Sequence, residues 1–278
     1  MLQITLLTDD SVRKRGLLAE HGLSLWIESD RHKILFDTGQ TDVYLKNAQM
    51  LGLDLEQAQA IVISHGHYDH GGGLAWFPLR ENGPRVYLHP EATLPKFSLA
   101  KNLEEPHRPV GLPWRIDQIQ HLDQIVTYNT STLSIADNLY LCAEIPAVTD
   151  FEPVNTSLLV EKNDQVQVDA MHDEQVLVCT CKKGLVVVVG CSHPGIVNIL
   201  KYVHLFFSEQ PIHAVIGGMH LENASPVRLQ QTIDYFRQMG ITKVVPLHCT
   251  GSQAVWTMKQ QLGDVVISAS AGDRITLG

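Results

Sequence analysis

No apolar run in the chain approaches the roughly 18 residues that a membrane span requires. The most apolar stretch, Leu185 to Val189, is short enough to be a buried strand. Met1 is followed at once by the strand-like Leu2-Gln3-Ile4-Thr5-Leu6-Leu7, with no charged region ahead of an apolar one, so no signal peptide is expected. Lys and Arg form no block and are outnumbered by Asp and Glu, 21 to 30, which argues against nucleic acid as a partner. No Gly-x-Ser-x-Gly elbow is present, so a serine nucleophile of that type is not expected. Cysteine is sparse and odd in number. Cys142, Cys179, Cys181, Cys191 and Cys249 fit reduced thiols in the cytoplasm better than a disulfide framework. Cys179 and Cys181 read as two side chains on one strand face.

What the chain has in excess is histidine, with 14 residues. Four potential metal ligands, His65, His67, Asp69 and His70, fall in the stretch Ser64-His65-Gly66-His67-Tyr68-Asp69-His70-Gly71-Gly72-Gly73. The apolar run Ala60-Ile61-Val62-Ile63 leads into it. Imidazole and carboxylate suit zinc and its first-row neighbours. In an extended segment His65 and His67 point the same way, because side-chain direction repeats every two residues. Asp69 and His70 follow as the chain turns towards a helix. The glycines let backbone pass close to the site.

The remaining pattern reads as alternating strands and helices. Residues 2–7 form a strand and Thr8 to Arg15 a polar loop. The strand 23–27 pairs with 33–36 through the turn Ser29-Asp30-Arg31-His32. Residues 42–51 form a helix, and a short helix starts at Gly73. Pro84, Pro90, Pro95, Pro106, Pro109 and Pro113 break residues 80–132, which read as an irregular insertion or cover over the site. Strands are expected at 157–162, 176–181, 185–190, 213–218, 241–247, near 265–268 and at 274–277. Helices are expected from Ile196, from Ser225-Pro226 and over 252–262. Residues 1–278 are expected to be one domain.

Three further histidines, His193, His220 and His248, sit directly after apolar strands, where α/β proteins build their sites. His193 and His248 read as metal ligands. His220 stands between ligand, substrate contact and packing residue, and His21 between loop and site residue. Asp37, at the end of the strand 33–36, suits a carboxylate that orients a metal-bound histidine, or a turn cap. Cys191 reads as a soft ligand, a near neighbour of the site or a buried thiol. His32, His89, His107, His121, His172, His204 and His213 read as turn, surface or packing residues.

His-x-His-x-Asp-His after an apolar strand resembles the first metal motif of the metallo-β-lactamase superfamily. Glu20-His21-Gly22-Leu23-Ser24, Gly190-Cys191-Ser192-His193-Pro194-Gly195 and His248-Cys249-Thr250-Gly251 resemble one branch of it. That branch comprises metal-dependent hydrolases and an archaeal dihydropterin–ribofuranosylaminobenzene phosphate synthase. The resemblance implies an α/β fold, a four-layer αββα sandwich, with metal at the open edge of its sheets. It implies two divalent metal ions, zinc by default with iron or manganese as alternatives. His65, His67 and His193 would hold one ion, and Asp69, His70 and His248 the other. It implies a hydrolase in which a metal-bound hydroxide attacks a small phosphorylated or ester-type substrate, with Asp69 also catalytic. The alternative it offers is a pterin-linked transferase, for which Trp76, Phe97 and Trp114 are available aromatics. The chain departs from many members in one respect. The metal-bridging Asp after a mid-chain strand is absent, and Cys191 stands there instead.

Overall fold

The structure is a computed structural model that describes residues 1–29, 31–100 and 105–278. The turn residue Asp30 lies outside them. In chain order the first half forms β1 (Leu2–Thr8), β2 (Ser24–Glu28), β3 (Lys33–Phe36), helix α1 (Val43–Met50), β4 (Ala60–Val62), the single turn α2 (Tyr68–Gly71), β5 (Arg85–Leu88), β6 (Lys96–Ser98), β7 (Arg108–Pro109), α3 (Leu122–Ile125) and β8 (Val126–Tyr128). The second half adds β9 (Leu133–Ala136), β10 (Leu139–Cys142), β11 (Leu158–Lys162), β12 (Gln165–Val168), β13 (Val176–Cys181), β14 (Gly184–Val189), α4 (Ile196–Phe206), β15 (Ile212–Gly218), α5 (Pro226–Gln238), β16 (Lys243–Leu247), α6 (Ser252–Leu262) and β17 (Arg274–Leu277). A seven-stranded sheet runs β17-β1-β2-β3-β4-β5-β8, and a six-stranded sheet runs β16-β15-β14-β13-β10-β9. A four-stranded sheet, β12-β11-β6-β7, lies apart from them.

The layers follow from the pleat. Successive side chains of a strand face opposite ways, so a strand buried on both faces feeds two cores. In β14, Val186 and Val188 pack between the two large sheets with Leu25, Ile27 and Ile216. Its alternate residues Leu185, Val187 and Val189 pack outward with Ile199 and Val203 of α4 and Phe236 of α5. On the other sheet Trp26 and Leu35 face outward onto Tyr44 and Ala48 of α1. Three apolar cores separate four layers, helix–sheet–sheet–helix, which is the αββα sandwich the sequence implied.

The same topology gathers strand ends. β1 and β3 are each antiparallel to β2 and therefore run the same way. β3, β4 and β5 are parallel, as are β14, β15 and β16. The carboxyl ends of β1, β3 and β4 thus collect at one edge of one sheet. Those of β14, β15 and β16 collect at an edge of the other.

Three sequence expectations change. Residues 80–132 are not simply a cover: β5 and β8 extend the seven-stranded sheet in parallel, and β6 and β7 join β11 and β12. The prolines hid them, since each strand is only two to four residues long. β9, β10 and β12 were not anticipated either. The strand expected near 265–268 is instead a turn whose Val266 makes one isolated bridge to Val244.

Candidate metal centre

Every candidate ligand leaves a strand end on that shared edge. His65 Nε2 and His67 Nδ1 lie 3.0 Å apart. The ring centroid of His193 is 4.9 Å from each of theirs, and one ligand atom from each of the three lies within 4.8 Å of the others. Beside this set, Asp69 Oδ2 lies 3.3 Å from His248 Nε2 and 4.0 Å from His70 Nε2. The rings of His65 and His70 are 4.3 Å apart, so the two sets adjoin. Cys191 sits between them, its Sγ 3.1 Å from His70 Nε2. It groups with His65 and His70, and also with His248 and Cys249. His21 joins the second set, with Nε2 3.3 Å from Asp69 Oδ2. His220 stacks 4.5 Å from the His193 ring. All ten residues singled out from sequence, Asp37 included, therefore come together.

A chain of hydrogen bonds sets the histidine tautomers. Asp37 Oδ2 accepts from His70 Nδ1 at 2.7 Å and from Ser64 Oγ at 2.8 Å. Ser64 Oγ in turn accepts from His65 Nδ1 at 2.9 Å. One carboxylate thus orients two imidazoles and leaves the Nε2 of each with its lone pair directed into the site, an arrangement that fixes metal-binding histidines. Asp10 Oδ1 does the same for His248, accepting from Nδ1 at 2.6 Å, and Asp10 Oδ2 accepts from His21 Nδ1 at 3.1 Å. Asp9 Oδ1 accepts the His248 backbone N–H at 2.8 Å.

The backbone at these ends is left-handed. Asp37, Ser192, His220 and His248 have φ of 56°, 63°, 47° and 45°. Such conformations cost energy outside glycine and persist where the surroundings over-determine them. Gly190 precedes Cys191 because a Cβ there would collide with Ser64 Oγ.

Three consecutive buried residues before β13 clasp both ligand loops. Asp173 Oδ2 accepts the N–H of Gly66, between His65 and His67, at 2.7 Å. Glu174 accepts the backbone N–H groups of Ser192 and His193 at 2.5 and 2.8 Å. The Gln175 backbone N–H donates to the Ser64 carbonyl at 2.8 Å, and its side-chain amide donates to the Ile63 carbonyl at 2.9 Å. Asp173 is held by Lys96, whose Nζ lies 2.9 Å from it and 2.5 Å from Asp169, all three side chains being buried. Trp114, which sequence offered as a stacking aromatic, is buried and donates its Nε1–H to the Gly71 carbonyl at 2.8 Å. Burial pushes the Glu174 carboxyl up to about 8 against the pull of the two N–H donors. Both its oxygens accept, so Glu174→Gln is expected to orphan one N–H and cost about 1–3 kcal/mol, read as a shift in the urea midpoint. An unchanged midpoint would show that the clasp does not hold this loop.

The electrostatics suit a cation. Burial, then neighbouring His70, drives His65 well below the ordinary histidine value. Burial, then His220, does the same for His193. Burial takes His67 down to about 4. At neutral pH these three rings are uncharged. His67 Nε2 and both ring nitrogens of His193 are buried without a partner, which is costly unless something else satisfies them. Asp69 is held well below the usual carboxylate range by His248 and His70, in spite of its burial. Burial opposes the charged form of His248, but hydrogen bonds to Asp10 and Asp69 outweigh it and raise its value. Nitrogen, carboxylate oxygen and one thiol together form a donor set for a first-row divalent metal, so the residues present fit the group that the sequence resemblance implied.

Sequence reasoning missed Asp9, Asp10, Lys96, Asp173, Glu174 and Cys249. Only Asp9-Asp10 left a local signal: paired carboxylates directly after a strand.

Fold and centre together define a member of the metallo-β-lactamase superfamily. That family's model matches residues 18–248, and the chain belongs to it. It is 31% identical over 258 residues to the 7,8-dihydropterin-6-methyl-4-(beta-D-ribofuranosyl)-aminobenzene-5'-phosphate synthase of Methanocaldococcus jannaschii, covering 85% of this chain and 83% of that one. It is 29% identical to an uncharacterized protein of the same organism, over 92% of this chain and 94% of that one. Among solved structures, Tm1679, a metal-dependent hydrolase of the beta-lactamase superfamily, matches with a TM-score of 0.83 and 34% identity, covering 100% of this chain and 99% of that one. The Bacillus subtilis metallo-beta-lactamase fold protein YhfI shares the fold, with a TM-score of 0.55 and 14% identity, over 99% of this chain and 100% of that one. Membership supports an enzyme that depends on metal.

Proposed function

We propose that this chain is a binuclear metal-dependent hydrolase acting on a small phosphorylated or ester-type substrate. The observation that carries the reading is the set of buried, partnerless imidazole nitrogens on His67 and His193, converging with His65. His65, His67 and His193 would hold one divalent ion. Asp69, His70 and His248 would hold a second, with Cys191 between the sets. Zinc is the default, with iron or manganese able to use the same donors. Bound there, divalent ions supply Lewis acidity that lowers the pKa of a water and neutralises charge developing on the substrate.

The chain's own residues do the rest. Asp37 and Asp10 keep His65, His70 and His248 in the tautomer that presents Nε2. Asp69 Oδ2, 3.3 Å from both His248 Nε2 and His21 Nε2 and ionised at neutral pH, is placed to accept a hydrogen bond from the attacking water and orient it. His21, half exposed, and His220 line the approach and contact substrate. The substrate is a small molecule, and nucleic acid is disfavoured by the acidic balance. Five free thiols fit the cytoplasm. Among the described residues no helix is long and apolar enough to cross a membrane.

Elemental analysis of protein purified without added metal tests the reading, together with a screen of phosphoesters, esters and lactones. About two equivalents and turnover of one class would support it. Protein that stays metal-free after incubation with zinc, iron and manganese would sink it. The supporting carboxylates give a finer test. Asp10→Asn removes the charge opposite His248 Nδ1 and is expected to weaken metal binding roughly 10–100-fold, read by competition with a chelator. An unchanged affinity would remove Asp10 from the centre.

A second reading is a pterin-linked transferase, favoured by the similarity to the archaeal synthase. It predicts condensation rather than hydrolysis when a pterin diphosphate and an arylamine riboside phosphate are supplied together.

A further inference from the structure

The loops beside His193 line a cavity of about 360 Å³, and His193 is the one residue of the two ligand sets that borders it. This is at the small end of ligand pockets, which run roughly 300–1,000 Å³. Ile145, Pro146, Val154 and Met171 make its walls apolar. None of its described lining residues is Lys or Arg; besides the imidazoles of His172 and His193, its ionisable group is the carboxylate of Glu144 at the rim. His89 aims that carboxylate. Its Nδ1 accepts the Glu91 N–H at 3.1 Å, so its Nε2 carries the hydrogen and donates to Glu144 Oε1 at 3.1 Å. The other oxygen, Oε2, makes no hydrogen bond to a described residue.

The backbone on both sides of the cavity is held in costly conformations. Glu144 and Met171 are left-handed, with φ of 54° and 55°. Met171 is pinned from both ends: its N–H bonds Asp169 Oδ1 at 2.8 Å, and its carbonyl accepts from Glu174 N at 3.2 Å. Asp169 belongs to the Lys96 ion group and Glu174 to the clasp on His193. One buried network thus shapes both the cavity wall and the ligand loop. Strain of this kind clusters at ligand clamps.

We propose that this cavity is the pocket for the non-reacting part of the substrate, and that it takes an uncharged or cationic, largely apolar group bearing N–H donors. The proposal rests on the hydrolase reading for the position of the reacting bond. An anionic group in the cavity would be desolvated against apolar walls and face Glu144 with no Lys or Arg to compensate it. A phosphate or carboxylate of the same molecule therefore belongs at the histidine-lined centre, which shares His193 with the cavity. An N–H donor in the cavity meets Glu144 Oε2, and the apolar body of the group meets Ile145 and Met171.

The test uses two flat probes of similar size, 2-aminobenzimidazole and 1-naphthoate, added to metal-loaded protein carrying methyl-labelled methionine. The expected result is a saturable shift of the Met171 methyl signal with 2-aminobenzimidazole and none with 1-naphthoate. Glu144→Gln should weaken the first probe about tenfold or more, the scale of a lost charge-assisted hydrogen bond. Ala147→Trp, which fills the cavity mouth, should abolish the shift. Should the naphthoate move Met171 as strongly, or Glu144→Gln leave the affinity unchanged, the assignment is wrong. Failure of the underlying reading looks different: the methyl shift persists while no ester or phosphoester is turned over. Conversely, turnover with a silent Met171 overturns the pocket and leaves the hydrolase standing.

Discussion

Lys96→Met is expected to destabilise the fold by about 3–5 kcal/mol, the cost of removing one partner from a buried ion group. Lys96 is 2% exposed and lies between Asp169 and Asp173, which are 3% and 1% exposed. Methionine fills the space but strands two carboxylates. At roughly 2–4 °C per kcal/mol for a chain somewhat smaller than this, the melting temperature should fall by about 10 °C. The pH dependence identifies the cause. Burial alone would lower the Lys96 value, yet Asp173 and Asp169 raise it above 10.5. Its contribution is therefore complete below pH 10.5 and lost as pH rises through the folded value. Burial raises the Asp173 value, but the charge and hydrogen bond of Lys96, with the Gly66 N–H, together bring it below 3.8. That contribution is present above pH 3.8 and lost as pH falls through the folded value. The variant lacks both, so its deficit should be largest near neutrality and shrink in acid as the stranded carboxylates take up protons. A deficit independent of pH would mean that packing, not charge, explains the loss. The metal loop should loosen as well, since Asp173 holds Gly66 N–H.

His67→Ala is expected to remove about one equivalent of metal and to lower hydrolysis more than roughly 100-fold, beyond the 10–100-fold typical of losing an outer partner. The fold should survive. His67 sits at the start of α2, but its side chain makes no capping bond there, and its Nε2 has no partner to lose. Stability of the metal-free protein should change little, because one buried unsatisfied nitrogen disappears while the 3.0 Å contact between His67 Nδ1 and His65 Nε2 is lost. Metal content, turnover and the thermal midpoint measured on one preparation separate these effects. Turnover that persists at the wild-type rate with one equivalent fewer would show that the reaction does not need the His65–His67–His193 set.

Much of the architecture was legible because it is written in short-range periodicity. β1, β3, β14, β15 and β16 are apolar runs, and α4 shows its buried Ile196, Ile199, Leu200 and Val203 at helical spacing. β6, β7 and β12 were not legible. They are two to four residues long, and long-range pairing gives them their identity: β6 and β12 flank β11, and β7 pairs with β6. The ligand candidates were legible by placement: His193, His220 and His248 each follow a strand, and strand ends on one edge meet. Asp37 was readable for the same reason, and the structure adds that it serves His70 directly and His65 through Ser64.

By itself the sequence determined the family, the layered fold and the ten candidate side chains that meet at the centre, because each of these depends on patterns within about ten neighbouring positions. Only the tertiary structure decided which residue supports which. His248 meets Asp10 across 238 positions and Gly66 meets Asp173 across 107. Cys191 comes to lie between two ligand sets because strand order and left-handed turns at Asp37, Ser192 and His248 aim the loops at one point. Hydrogen bonds of that span depend on how the sheets stack, and no local pattern of side chains encodes them.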